Sequence, residues 1–395
     1  MTRDDKPNRA TPPLLKDLNE RTVLDTIRAG APISRAEISR RAGISKPTVS
    51  LALQSLVDAG LVRDVAHDPE GPSYGAVFFE PVPDVSLVLG LDLGARFLRG
   101  AMCDLSGSIL ARQDVALQGT DAGAVIDAVD ALRTSLVDAV GVPESRLGAA
   151  VIGIPGVIDP SDESVHLATN MPDLEGREFG GKLRDRLGLP LTLENDINLA
   201  ALGERWRGVA RGVDDFVFLS IGSGMGAGLV LRGELHRGHN RAAGELDYAL
   251  GGMTEELNPC AGALVSVATR LAAEREVPTS LVAPYEARDV FTAARAGDEL
   301  GRAVVGETAR RIALHIAPVA AVADVRLVVL GGGVGANGDL LLHPVRRLLD
   351  EWLPYPPHVE VSSLGEAAVL TGALAVGRRS ALDSVFVNRK AVARR

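Results

Sequence analysis

Apolar positions in the first sixty residues recur at helical spacing. Over residues 14–29, Leu18, Val23, Leu24 and Ile27 predict a helix with one apolar face. Ser34 and Glu37 have the spacing of a capping box, which opens a second helix that ends near Ala42. Gly43 supplies a turn. Ser45 caps a third helix starting at Lys46, and Pro47 is tolerated there because first-turn amides have no intrahelical partner. Along that helix Val49, Leu53, Leu56 and Val57 face a core, which leaves Lys46, Thr48, Ser50 and Gln54 outside. Two short β-prone runs follow, 61–65 and 76–80, separated by a turn-rich segment that predicts a hairpin wing.

From Leu87 the pattern changes. Residues 87–110 read as strand, Gly-containing turn, strand, Ser-Gly turn and strand, and residues 216–236 repeat that order. The repeat predicts an internal duplication, two lobes that each open on a β-meander. Between the meanders the pattern places helices near 124–140 and 180–187 and strands at 148–152 and 190–193. A strand at 326–330, a glycine loop and a helix from Asp339 come after the second meander. The expected organisation is a mobile arm (1–13), a winged helix-turn-helix (14–80), a linker (81–86), two lobes (87–200 and 201–379) and a frayed basic tail (380–395).

Composition narrows this picture. A chain of 395 residues with 46% hydrophobic content can bury more than one core. Few aromatics and many aliphatics favour an α/β body with a sheet covered on both faces. The net charge of −9 argues against general nucleic-acid affinity, but Arg35, Arg40, Arg41 and Lys46 outnumber Glu37 within 34–50, so local DNA binding is expected. The DNA-facing candidates are Arg35, Ser45, Lys46, Pro47, Thr48, Ser50 and Gln54, the side chains a recognition helix would bring to base edges and phosphates. Two cysteines and no long apolar span suit a reducing cytoplasm, with no membrane partner.

Residues 19–62 are similar to the amino-terminal domain of the ROK family's repressors. Those repressors usually carry Gly-Arg in the wing; here Pro72 follows Gly71, so minor-groove readout by the wing is not expected. The ordered segments GLDLG (90–94), IGIPG (152–156), ENDIN (194–198), SIGSGMGAG (220–228), AGEL (243–246) and LGGGVGANGDLL (330–341) resemble the ROK sugar-kinase body. That resemblance implies a two-lobed actin-like ATPase (ribonuclease H-like) fold with a nucleotide-and-sugar cleft.

It also implies residue roles. Asp196 would be the general base of a kinase, Asn195 would hold the sugar, and Asn170, Glu245 and Tyr248 complete the expected ligand-binding set. Asp92 and Gly94, the turn Gly222, Ser223 and Gly224, and the loop Gly331, Gly332 and Gly333 are remnants of three nucleotide loops. Departures are concentrated in two places. Ala95 and Arg96 stand where active relatives have Gly-Thr, so ATP and magnesium are not expected. The zinc motif is reduced to EELNPCAGALV: Glu256, Asn258 and Ala263 fall on ligand positions, Cys260 is out of phase, Tyr248 replaces a His and Val265 a Glu. Zinc needs about four suitable ligands, so none is expected. These features predict a non-catalytic regulator, a homodimer or tetramer that binds operator DNA and responds to a sugar-like effector. The alternative is an ATP-dependent sugar kinase using Asp196.

Overall fold

The computed structural model describes residues 12–66, 77–246, 256–274 and 278–392, with side chains described from Leu15 to Val385 within those ranges. Gly71, Pro72 and Tyr248 lie outside the described residues. The chain divides into two compact units.

The first unit opens with α1 (Pro12–Gly30), β1 (Ile33–Ser34), α2 (Arg35–Ala42) and α3 (Lys46–Asp58), followed by β2 (Val62–Val65) and β3 (Phe78–Pro81). Local chemistry sets each boundary. Ser34 Oγ accepts from Glu37 N at 3.3 Å, and Gly43, at φ 66°, ends α2 in the left-handed region. The capping box is only half formed. The Glu37 carboxylate turns along the helix to Arg40 and Arg41 at 2.5 and 2.6 Å instead of reaching back. Ser45 Oγ caps α3 by accepting from Thr48 N at 3.4 Å. Val23, Leu24, Ile27, Ile38, Val49 and Leu56 form the core. Leu18 does not join it and stays 58% exposed, because the apolar face of α1 begins one turn later.

The wing is part of a three-stranded sheet ordered β1-β3-β2, with Ile33 opposite Phe79 and Arg63 paired to Glu80. Expected as a linker, 81–86 is instead structured: Val82 N donates to Leu61 O, and Leu105 N donates to Pro83 O. Residues 104–108 and the chain from Ala381 also belong to this unit. Arg28 donates to Leu105 O at 2.7 Å, Arg21 pairs with Asp383, and Leu382 and Val385 pack on the core.

The second unit begins with β4 (Leu87–Leu93), β5 (Phe97–Asp104), β6 (Ile109–Ala116), α4 (Ala122–Val140), β7 (Leu147–Ile154), β8 (Val157–Ile158) and β9 (Val165–His166). Next come α5 (Glu178–Leu187), β10 (Leu191–Asn195) and α6 (Asp196–Arg207). The second half holds β11 (Phe216–Ile221), β12 (Met225–Leu231), β13 (Glu234–His236), α7 (Ala261–Glu274), α8 (Ala287–Arg295) and α9 (Glu299–Ala323). It ends with β14 (Leu327–Gly331), α10 (Gly332–Gly335), α11 (Gly338–Trp352), β15 (His358–Val361) and α12 (Ala368–Val392).

The two sheets share one topology. The first is ordered β10-β7-β4-β5-β6 and the second β13-β12-β11-β14-β15. In each, a meander supplies three strands and two later strands add on its first edge; β7 and β10 pair in parallel, as do β14 and β15. The second lobe packs its sheet on α9 and α11 through Val328, Leu330, Ile312, Ile316 and Val345.

The tail expected from sequence is not a frayed end. The chain past Ser380 continues as α12 to Val392. Its earlier turns pack on the first sheet, where Leu374 lies over Gly90 and Val88 over Gly377. Basic residues suggested a solvated end, but Ala373, Leu374 and Ala381 give the helix a buried face.

Candidate functional site

Two sites emerge, one in each unit. In the first, α3 buries Val49, Ala52, Leu53 and Leu56, while Val57 is only partly buried. Its opposite face carries exposed Lys46, Pro47 and Gln54 and half-buried Thr48 and Ser50, with the cap Ser45 exposed before them. Arg35 starts α2 and is exposed. The local positive charge is smaller than the residue count implies. Arg40 and Arg41 are spent on Glu37, whose carboxyl their hydrogen bonds hold down at about 2. Arg35 and Lys46 have no ion pair among the described residues, so they are the cations free to meet phosphate. The hydroxyls are also engaged internally: Ser50 Oγ donates to Lys46 O at 2.9 Å, and Ser45 Oγ lies 2.8 Å from Thr48 Oγ1.

The second site is the cleft between the lobes of the body. β10 runs into α6 through Glu194, Asn195 and Asp196. Asn195 is the cap: its Oδ1 accepts from Asn198 N at 3.0 Å, and its Nδ2 donates to Gly156 O at 3.0 Å. Asp196 follows in the first turn, where Oδ1 accepts from Ile197 N at 2.8 Å. Burial, then the neighbouring charges of Asp92 and Glu245, push its carboxyl up to about 7. Asp92 and Glu245 therefore each lie within electrostatic reach of Asp196. The loop carrying Glu245 is pinned by Ala227 N donating to Gly244 O at 2.8 Å. Gly244 is required there, since at φ 95° any side chain would meet Ala227 O.

The remaining expected residues fall around this cleft in different ways. Gly222 and Gly333 lie side by side, because an added side chain on the first would sit 3.8 Å from the amide of the second. Gly332, at φ 76°, backs onto Ile221 O, and Gly331 faces the Phe218 ring. The second and third glycine loops thus meet. Ser223 and Gly224 are exposed at the turn, Gly94 N donates to Phe97 O, and Asn170 is exposed in the loop after β9. Nothing described brings Asn170 to the carboxylates.

Two arginines at this site were missed from sequence. Arg96, which stands where active relatives have a Thr, is exposed, whereas Arg99 on β5 reaches Asp92 at 3.2 Å and Glu366 at 3.0 Å. Asp114 lies 3.8 Å from the same guanidinium. Burial lifts Asp92 to about 6 even though Arg99 pulls it down. Arg237, past β13, bonds Glu194 at 2.6 Å, and Glu194 also accepts from Asn195 N and Asn198 Nδ2. It clasps the second lobe's loop to the ENDIN turn. The only sequence signal was alternation, which turns Arg99 and Asp114 to one face of paired strands.

Arg99→Leu is expected to destabilise the fold by about 2 kcal/mol at pH 8, where Asp92 is ionised and left unpaired. At pH 5, below the raised value for Asp92, the carboxyl is protonated and the loss shrinks. Thermal melts showing the same loss at both pH values would contradict this pairing.

The segment around Cys260 is held by hydrogen bonds. Arg311 donates to Asn258 O at 2.8 Å, His315 Nε2 lies 3.1 Å from Leu257 O, and Cys260 N donates to Asn258 Oδ1 at 2.8 Å. Among the described residues no group of three or more His, Cys, Asp or Glu is placed to hold a metal ion.

A helix-turn-helix with a small wing, carried by a duplicated two-lobed body with glycine loops and a carboxylate-lined cleft, defines a DNA-binding module on a sugar-kinase-like body. Residues 88–380 match the model of the ROK family, and residues 17–70 that of the MarR family. The chain belongs to the ROK family. The xylose repressor of Caldicellulosiruptor bescii is 26% identical over 384 residues, spanning 92% of this chain and 96% of that protein. The crystal structure of a ROK family transcriptional regulator, a homolog of the E. coli MLC protein, matches with a TM-score of 0.78 at 22% identity, covering 94% and 98% of the two chains, which speaks for the fold. A ROK glucokinase from Streptomyces griseus, solved with glucose and AMPPNP, matches with a TM-score of 0.62 at 29% identity, over 74% of this chain and all of that one. No helix among the described residues is long and apolar enough to cross a membrane.

Proposed function

We propose that the protein is a transcriptional repressor of the ROK type whose operator affinity is set by a neutral sugar held in the cleft of the body. The observation that carries this is α3, a capped helix with one buried face and an exposed face of short polar groups and a free cation. The xylose repressor aligned along 92% of the chain supports the same reading for the whole protein. Two recognition helices must meet two half-sites, so the working form is a homodimer or a tetramer built from dimers.

The cleft favours a ligand of definite chemistry. Asp196 and Glu245 offer carboxylate oxygens to hydroxyls and disfavour an added anion, so a pentose or hexose fits better than its phosphate ester. A ligand that prefers one conformation of the body changes operator affinity by linkage. With Arg99 on Asp92, the first loop has a fixed cation where a metal-phosphate would need that carboxylate, which favours a body that neither binds Mg-ATP nor transfers phosphate. The loop at Cys260, tied by Arg311 and His315, is read as zinc-free; one zinc per chain in the purified protein would overturn that.

The test is binding of the full-length protein to its own upstream DNA, titrated with salt and then with sugars and sugar phosphates, xylose first. Expected is salt-sensitive, sequence-specific binding released by a neutral sugar and not by its phosphate. Absence of specific binding would sink the proposal. One observation favours a second reading: a carboxyl near 7 is well placed for a general base. Sugar-dependent ADP formation, abolished by Asp196→Asn, would establish a kinase.

A further inference from the structure

The outward face of α3 carries an exposed apolar residue among its polar ones. Pro47, Leu51, Gln54 and Asp58 follow one another at spacings of four, three and four, so they form a single line along the helix. In the middle of that line Leu51 is 74% exposed. The polar groups around it already have partners. Gln54 Nε2 donates to Asp58 Oδ1 at 2.7 Å, Ser50 Oγ to Lys46 O, and Ser45 and Thr48 bond each other. The bond to Asp58 restrains the Gln54 amide along the helix, and the Asp58 charge repels the phosphates nearby. Leu51 surrenders no bond on binding, and covering its isobutyl group removes apolar surface from water.

In a major groove the apolar feature at a base edge is the 5-methyl group of thymine. We propose that Leu51 is a specificity residue that packs on thymine methyl groups of the operator. This inference rests on the operator-binding reading above. A protein partner is disfavoured, because the exposed apolar surface of this face is only Leu51 and the neighbouring Pro47 ring, flanked by Lys46, Ser50 and Gln54, too small for a protein-docking patch.

The experiment uses the full-length protein and a duplex enriched by it from a random-sequence pool. The enriched duplex is prepared with thymidine or with deoxyuridine, which keeps every base pair and removes only the methyl. Wild-type protein is expected to bind the deoxyuridine duplex about four-fold more weakly for each methyl in contact. Leu51→Ala is expected to lose about the same factor on the thymidine duplex and to bind both duplexes equally, with an unchanged thermal midpoint because the site is exposed and Ala suits a helix. Leu51→Gln should enrich a different base at that position.

If Leu51→Ala keeps the wild-type preference for thymidine, the proposal is overturned. It is equally overturned if the variant changes self-association by light scattering while the preference persists, which would make Leu51 a subunit contact. Failure of the wild-type protein to enrich any sequence would instead remove the operator reading itself, and the inference with it.

Discussion

Gly372→Ala is expected to destabilise the body by about 3 kcal/mol or more, although Ala is ordinarily the better helix former. Gly372 on α12 and Gly203 on α6 meet backbone to backbone: an added Cβ at Gly372 would lie 1.8 Å from Leu199 O, and one at Gly203 would lie 2.2 Å from Ala368 O. Neither obstacle is a flexible side chain end, so the helices must part. Overpacking of this kind costs about 1–3 kcal/mol where side chains can yield and more where they cannot. Below the crossing, buried Glu204 accepts from Val209 N at 2.9 Å and from Ser362 Oγ, fixing the chain that leads into α12. Since α6 begins at Asp196, spreading the helices also displaces the cleft carboxylate. The control is Gly306→Ala in α9, where nothing lies within 4 Å of the added methyl. There the propensity gain of up to about 1 kcal/mol should be realised as a stabilisation. Opposite signs in parallel denaturant melts are the expected result; equal signs would mean that the crossing is not as tight as described.

How much of this was legible in the sequence follows the range of the interactions. Ser34, Gly43, Ser45 and Pro47 act within four residues of themselves, and the boundaries of α2 and α3 fall where they indicate. The duplicated meander was legible for a similar reason, since each Gly turn joins neighbouring strands. Leu18 was misread because helical spacing shows that a face exists and not how far the core extends along it. The end of α12 was misread because charge was weighed without its long-range contacts: Asp383 is paired with Arg21, 362 residues away. Arg99 and Glu366 are 267 residues apart and Glu194 and Arg237 are 43 apart, so no local pattern announces either pair. In the cleft, glycine loops and the ENDIN turn were readable as types of element. The cation that sits on Asp92 was not, because Arg99 lies on the neighbouring strand and no local motif ties it to Asp92.

Asp196→Asn is expected to raise stability at pH 8 while weakening the response to the effector. The folded protein holds this carboxyl near 7, well above the value of 3.8 usual for an unfolded chain, chiefly because burial disfavours its charge. The native state therefore binds more protons than the unfolded state between those two values, and stability falls as pH rises through that window. The amide removes the charge and with it the fall. At pH 8 the variant should gain on the order of 2 kcal/mol, less than the full shift implies because Asp92 and Glu245 share the repulsion. At pH 5, inside that window, roughly a third of the gain should remain, and the difference should nearly vanish only below the unfolded value of 3.8. The Asn195 cap is untouched, and an amide oxygen at 196 can still accept from Ile197 N. Sugar hydroxyls, however, lose a charged acceptor, a loss of roughly 1.5–3 kcal/mol, or about ten- to a hundred-fold in the concentration needed to release DNA. The two readouts separate the causes. Lower stability at pH 8 would mean that Asp196 is paired favourably and not strained by burial, whereas higher stability with an unchanged sugar response would place the effector away from this carboxylate.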